Sequence, residues 1–224
     1  MLLRMAHGNP LSHTEQRGLW IVLLGPDGAG KSAVIEGLAD AGSTGFRGCD
    51  SYHLRPILRP GGPARSPNVD PHGQRPRGTL ISLFKLFYLL IANWLAYLVT
   101  VRPDLAQGKL ILFDRYFPDC LVDPRRYRLP TSCRRITEVI ARLIPKPDLY
   151  VVLDAPARVL QGRKTEVTAA ESKRLRTDYA TRFEKLPNVA VVDASRPLRD
   201  VVRDVLDRII EFRLSRYRQR YQIA

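Results

Sequence analysis

The stretch GPDGAGKS, residues 25–32, constrains the fold more than any other part of the chain. It matches G-x-x-x-x-G-K-S, a loop whose backbone N–H groups cradle phosphate. Such a loop functions only between a strand and a helix, because the first helical turn completes the anion site. The chain supplies both. LWIVLL (19–24) is a continuous apolar run, and KSAVIEGLADAG (31–42) reads as a helix. In this context Lys31 reaches the transferred phosphate and Ser32 ligates Mg²⁺.

The same alternation continues. Strands are predicted at 19–25, 49–55, 108–116, 148–154 and 188–195, and helices at 31–42, 80–101, 131–144, from 155, from 171 and at 197–212. Near-continuous apolar strands between helices imply a parallel sheet covered on both faces. The expected class is therefore α/β, a P-loop NTPase fold with a five-stranded parallel sheet flanked by helices. At 224 residues the chain is read as one domain. Residues 1–18 form a lead-in without a signal-length apolar core, 19–212 the domain, and 213–224 a basic tail.

LFDRY (112–116) ends a strand in Asp114-Arg115. A carboxylate at the carboxyl end of a parallel strand faces the ligand crevice. There Asp114 can hold Mg²⁺ and Arg115 can neutralise phosphate charge, the plain alternative being an ion pair. Asp27 is unusual inside a phosphate loop. It is read as a turn former, as a contact to an acceptor hydroxyl, or as a base for that hydroxyl.

The net charge of +14 and pI near 10.2 favour anionic partners. No aromatic-interleaved basic pattern for single strands stands out, so nucleic acid is not expected. PRRYR (124–128) places Arg125 and Arg126 where they could grip a phosphate, or pair with Asp123. Three dispersed cysteines, without C-x-x-C, exclude a structural zinc pattern and fit a reduced cytoplasmic setting. The stretch 80–101 is apolar nearly all round and long enough for a membrane span. Its place between strands makes it a core helix, covered by a second subunit, by the fold alone, or by a membrane surface or lipid.

GPDGAGKS, GKLILFDRY and VVDASRPLRDVV, in that order, resemble the thymidylate kinase family of P-loop nucleoside monophosphate kinases, over about residues 19–212. The resemblance implies a homodimeric enzyme that moves the γ-phosphoryl of ATP to a nucleoside monophosphate, dTMP first, with Mg²⁺. It implies that Gly25, Asp27, Gly28, Ala29, Gly30, Lys31, Ser32 and Ala33 contact ATP, with Ser195 near the adenine. Asp27 would touch the acceptor, and Ser32 and Asp114 would hold the metal. Residues 161–177 resemble the mobile lid. Because the phosphate loop lacks an arginine, the lid would supply the catalytic cation, with Arg163 first and Lys164 and Arg176 behind it. Arg55, Arg59, Trp94, Arg115 and Tyr116 are expected to bind the acceptor, together with Arg125 and Arg126 from the basic run noted above.

The acceptor side departs from the family. Trp94 stands where the family has a helical arginine, and LRPGG (58–62) lacks the family's glutamate. HLRP, the apolar helix and FDRY…LVDPRRYR also resemble a thymidylate-kinase-like group found beside surface-polysaccharide genes. That implies a sugar, lipid-linked or other nucleotide acceptor as the alternative. A non-enzymatic nucleotide-binding protein at a membrane surface is the third reading.

Overall fold

The computed structural model of the chain describes residues 17–42, 45–53, 75–163, 168–183, 186 and 188–222. Five strands, β1 (Leu19–Leu24), β2 (Cys49–His53), β3 (Leu110–Asp114), β4 (Leu149–Asp154) and β5 (Val189–Asp193), form one sheet in the order β2-β3-β1-β4-β5. Every pairing is parallel. The three central strands are apolar along almost their whole length and lie buried, as expected when helices cover both faces.

Alternation divides the side chains of β1 between two cores. Trp20, Val22 and Leu24 join Phe113, Leu86, Tyr179 and Phe183 on one face. That face is covered by α2 (Thr79–Ala96), α3 (Arg102–Ala106), α4 (Asp119–Val122), α5 (Arg134–Leu143) and α7 (Ala169–Phe183). Leu19, Ile21 and Leu23 pack on the other face with α1 (Lys31–Gly42), α6 (Ala157–Arg163) and α8 (Leu198–Tyr221).

Three elements differ from the sequence reading. The apolar helix runs on to Ala106 through a π-helical segment, Tyr97–Val101. Pro103 explains the widening. Its ring cannot sit against the carbonyl four residues back, so Arg102 N–H bonds to Tyr97 O instead. Residues 213–221, read as a tail, continue α8, because no glycine or proline interrupts the run. The short helix α4 was not foreseen.

The helical stretch Thr79–Ala106 is long and apolar enough to cross a membrane by length and composition, and 28% of its most apolar window is buried. Leu86, Leu89, Val101 and Leu105 lie in the sheet core, and the stretch feeds directly into β3. Leu86 is fully buried at the point where α2 meets the sheet. Leu86→Ala is expected to destabilise the fold by about 2–5 kcal/mol, read from the urea midpoint at constant m-value.

Candidate active site

The phosphate loop follows β1, the central strand, at the carboxyl edge of the sheet. Gly25 has φ +141°, and a Cβ there would stand 2.5 Å from Leu153 O. Gly28 has φ +83°, and its Cβ would meet Leu160 O at 2.6 Å. The loop is thus wedged against β4 and α6, and only glycine fits at these two points.

Lys31 folds back over the loop. Its Nζ donates to Gly25 O (2.8 Å) and Pro26 O (2.9 Å). Burial, with the Arg115 charge nearby, pulls its ammonium down to about 7. Ser32 Oγ donates to Asp114 Oδ2 at 2.9 Å. The parallel register sets His53 beside Asp114, with Nδ1 3.5 Å from Oδ2. Burial alone would raise the Asp114 pKa. The His53 hydrogen bond and the Lys31 and Arg115 charges outweigh it and hold the carboxyl well below its usual range. Asp114 Oδ1 is buried without a hydrogen-bond partner among the described residues. A carboxylate kept ionised, with one oxygen unspent and a hydroxyl on the other, suits a hard cation.

Arg115 is the most constrained residue of the site. It follows β3 in the left-handed region, φ +70°, with its N–H on Leu23 O (3.0 Å). The residue is 4% exposed, and its guanidinium lies between two carboxylates. Nη2 donates to Asp27 Oδ1 (2.5 Å) and Nη1 to Asp119 Oδ2 (2.8 Å). Burial opposes the charge, but Asp119 and Asp27 more than restore it. Asp119 is fully buried and also accepts from Tyr127 OH (2.7 Å) and Tyr179 OH. The second Asp27 oxygen accepts from Arg126 Nη1. Asp27 is therefore neither a simple turn former nor available as a base, since both its oxygens carry arginines.

Other expected residues scatter. Tyr116 points into the core, stacks on Phe113 and donates to Pro145 O (2.9 Å), so it does not face a substrate. It is next to Arg115 at a strand end, and neighbouring side chains there take opposite sides. Trp94 Nε1 donates to Leu143 O at the end of α5. It lies roughly 22 Å along α2 from Thr79, at 1.5 Å per residue. The N-terminal end of α2 is the one beside the site, where Arg77 N–H bonds to Arg128 O and Lys85 Nζ donates to Tyr127 O. Arg125 turns outward to a cavity of about 860 Å³ with Arg134, Arg174 and Arg182. Arg55, Arg59 and Lys164 lie outside the described residues.

Arg163 Nη1 donates to Ala194 O (2.8 Å) and lines a cavity of about 260 Å³ with Ala29, Gly30, Ala33 and Ala194. Ser195 N–H bonds to Asp193 in the adjoining turn. Arg176 is fastened in a bidentate pair to Asp154 (2.6 and 2.7 Å). Sequence reasoning missed Asp119, Tyr127, Tyr179 and Lys85. Only Asp119 carried a signal, four residues past Arg115.

No family model matches the chain. It is 31% identical over 216 residues to thymidylate kinase of Chromobacterium violaceum, covering 90% of this chain and 99% of that protein. The thymidylate kinase of Methylobacillus flagellatus is 28% identical, with 88% and 99% covered. The fold is similar to the crystal structure of thymidylate kinase from Ehrlichia chaffeensis, with TM-score 0.55, 16% identity, and 85% and 98% covered. It is also similar to that of Candida albicans, with TM-score 0.61, 18% identity, and 87% and 92% covered.

The Lys31 environment has a measurable consequence. With an ammonium pKa near 7, most Lys31 in the free protein is neutral at pH 8. Bound polyphosphate favours the charged form, so ATP binding at pH 8 should take up about one proton, and affinity should fall as pH rises through 7. Calorimetry in two buffers of different ionisation enthalpy reads the uptake. Equal heats in both would show that Lys31 is already charged.

Proposed function

The chain belongs to the thymidylate kinase family, and on that premise we propose that it transfers the γ-phosphoryl group of ATP to dTMP, giving ADP and dTDP. The observation that carries the choice of acceptor is the double arginine pairing of Asp27. A sugar hydroxyl would need a base to take its proton. The 5′-phosphate of dTMP needs none, because its second ionisation lies near pH 6. A site whose loop carboxylate, Asp27, already carries two arginines fits an acceptor that brings its own anionic oxygen. The sugar or lipid-linked acceptor is not favoured.

The residue roles follow from chemistry at each position. Lys31 and the backbone of residues 25–32 bind the ATP phosphates. Ser32 and Asp114 would hold Mg²⁺, which neutralises phosphate charge when bound. Among the described residues no group of three or more His, Cys, Asp or Glu forms a cage of its own. That agrees with a magnesium ion shared between one carboxylate, one hydroxyl and the substrate's phosphates. Arg115 supports the acceptor phosphate, oriented by Asp27 and Asp119. The cavity at Ala33, Arg163 and Ala194 takes the adenosine end. Arg163 thereby moves from the expected lid cation to the nucleoside side. Catalysis is positioning and charge compensation.

We assign the exposed face of α2 to a homodimer. Phe84 is 76% and Phe87 61% exposed, and Tyr88, Ile91 and Leu95 are exposed beside them. Exposed Ile136, Val139 and Leu143 on neighbouring α5 extend the apolar surface. A patch of this kind marks an interface. A membrane surface is the second reading of this face. Three free cysteines support a cytoplasmic setting.

ADP formation should depend on dTMP when ATP and Mg²⁺ are supplied. Lys31→Ala and Asp114→Ala should each lower kcat by on the order of 10²-fold or more. ATP binding without turnover on any nucleoside monophosphate would sink the kinase reading. In sedimentation velocity the wild type should run at about twice 25.4 kDa, and the double variant Phe84→Asp, Phe87→Asp at the monomer mass. A monomeric wild type at micromolar concentration would remove the dimer.

A further inference from the structure

Arg126 reaches the phosphate loop from outside it. The loop itself offers Lys31 and no arginine. Of the expected lid cations among the described residues, Arg163 is bonded to Ala194 O and Arg176 to Asp154, and neither pairing lies at Asp27. Arg126 Nη1 instead donates to Asp27 Oδ2, inside the loop. Its side chain is 18% exposed, so it is shielded but accessible to a ligand at the loop.

The segment carrying Arg126 is built to aim it. Asp123 Oδ1 accepts from Arg126 N–H at 3.2 Å. Arg128 N–H bonds to Arg125 O and Leu129 N–H to Pro124 O, closing one turn inside another. Arg128 adopts φ +54° to make the bend. Tyr127 is buried, its hydroxyl on Asp119 and its carbonyl held by Lys85 Nζ (2.6 Å). A donor fixed before the reaction needs little reorganisation during it.

We propose that Arg126 is a catalytic residue, the guanidinium that compensates the charge on the transferred phosphoryl group, supplied by the 123–128 turn in place of the lid. Asp27 is its holder. This rests on the ATP-to-dTMP reading. In the step, a lone pair of a dTMP 5′-phosphate oxygen forms the bond to the γ-phosphorus. The bond from that phosphorus to the β–γ bridging oxygen breaks, and its electron pair leaves with ADP. No proton is taken from the acceptor. One Arg126 N–H stays on Asp27, and others of its five remain for the moving group.

Steady-state kinetics of Arg126→Ala test the assignment, with Arg126→Gln as a second variant that keeps an N–H for Asp27 and so guards against collapse of the loop. Both should lower kcat by on the order of 10²-fold or more, with KM for ATP and dTMP changed by less than about threefold. Added methylguanidinium should restore part of the Arg126→Ala turnover. Arg163→Ala should act on the KM for ATP rather than on kcat. Slow ATP hydrolysis, with water as acceptor, should fall in parallel in the Arg126 variants. That arm tests Arg126 even if the wild type proves inactive on dTMP, which would sink the acceptor reading alone. A raised KM for dTMP with kcat intact would make Arg126 an acceptor clamp only and overturn the proposal. So would a larger kcat loss in Arg163→Ala, or unchanged hydrolysis in both Arg126 variants.

Discussion

A charged arginine cannot be buried alone. Arg115 is buried because Asp27 and Asp119 flank it, and Asp119 is in turn saturated by two tyrosine hydroxyls. These partners come from the phosphate loop, α4, the 123–128 turn and α7. One guanidinium therefore ties the phosphate loop to α4 and, through Asp119, to α7. Removing a single partner from such a pair typically costs about 3–5 kcal/mol, because the remaining charge has nowhere to go. The site and the local fold stand or fall together here.

The loop, the five strands and the two-faced core were legible because their signals are local. Apolar runs such as LWIVLL and LILF name buried strands, and the glycine spacing names the loop. Residue adjacency was a poorer guide. Tyr116 adjoins Arg115 in sequence but faces the Trp20 and Phe113 core. Arg125 and Arg126 are neighbours, yet one lines an outer cavity and the other enters the phosphate loop. Trp94 stands at a position the family gives to arginine, but its height along α2 decided its contacts. Asp119 stood close to Arg115 in sequence, but Arg115 lies before α4 begins, so no helical spacing linked the two. Its two tyrosines, at 127 and 179, depend on how α7 docks and left no sequence trace.

The apolar helix shows how one composition can serve two environments. Leu86, Leu89, Val101 and Leu105 build the core beneath, while Phe84, Phe87 and Ile91 remain outside. A hydropathy reading sees one uniform segment. The sheet selects one stripe of it, and the other stripe is left for whatever covers the molecule.

The left-handed backbone at Arg115 sets a limit on how this protein can adapt. A non-glycine residue in that region carries strain on the order of 1–3 kcal/mol, which glycine would relieve while deleting the guanidinium. Selection for heat tolerance therefore cannot use this position, however large the gain in backbone energy. Stability can be added at a distance from the strand end without touching this turn, and its strain is the cost of keeping a guanidinium at that spot.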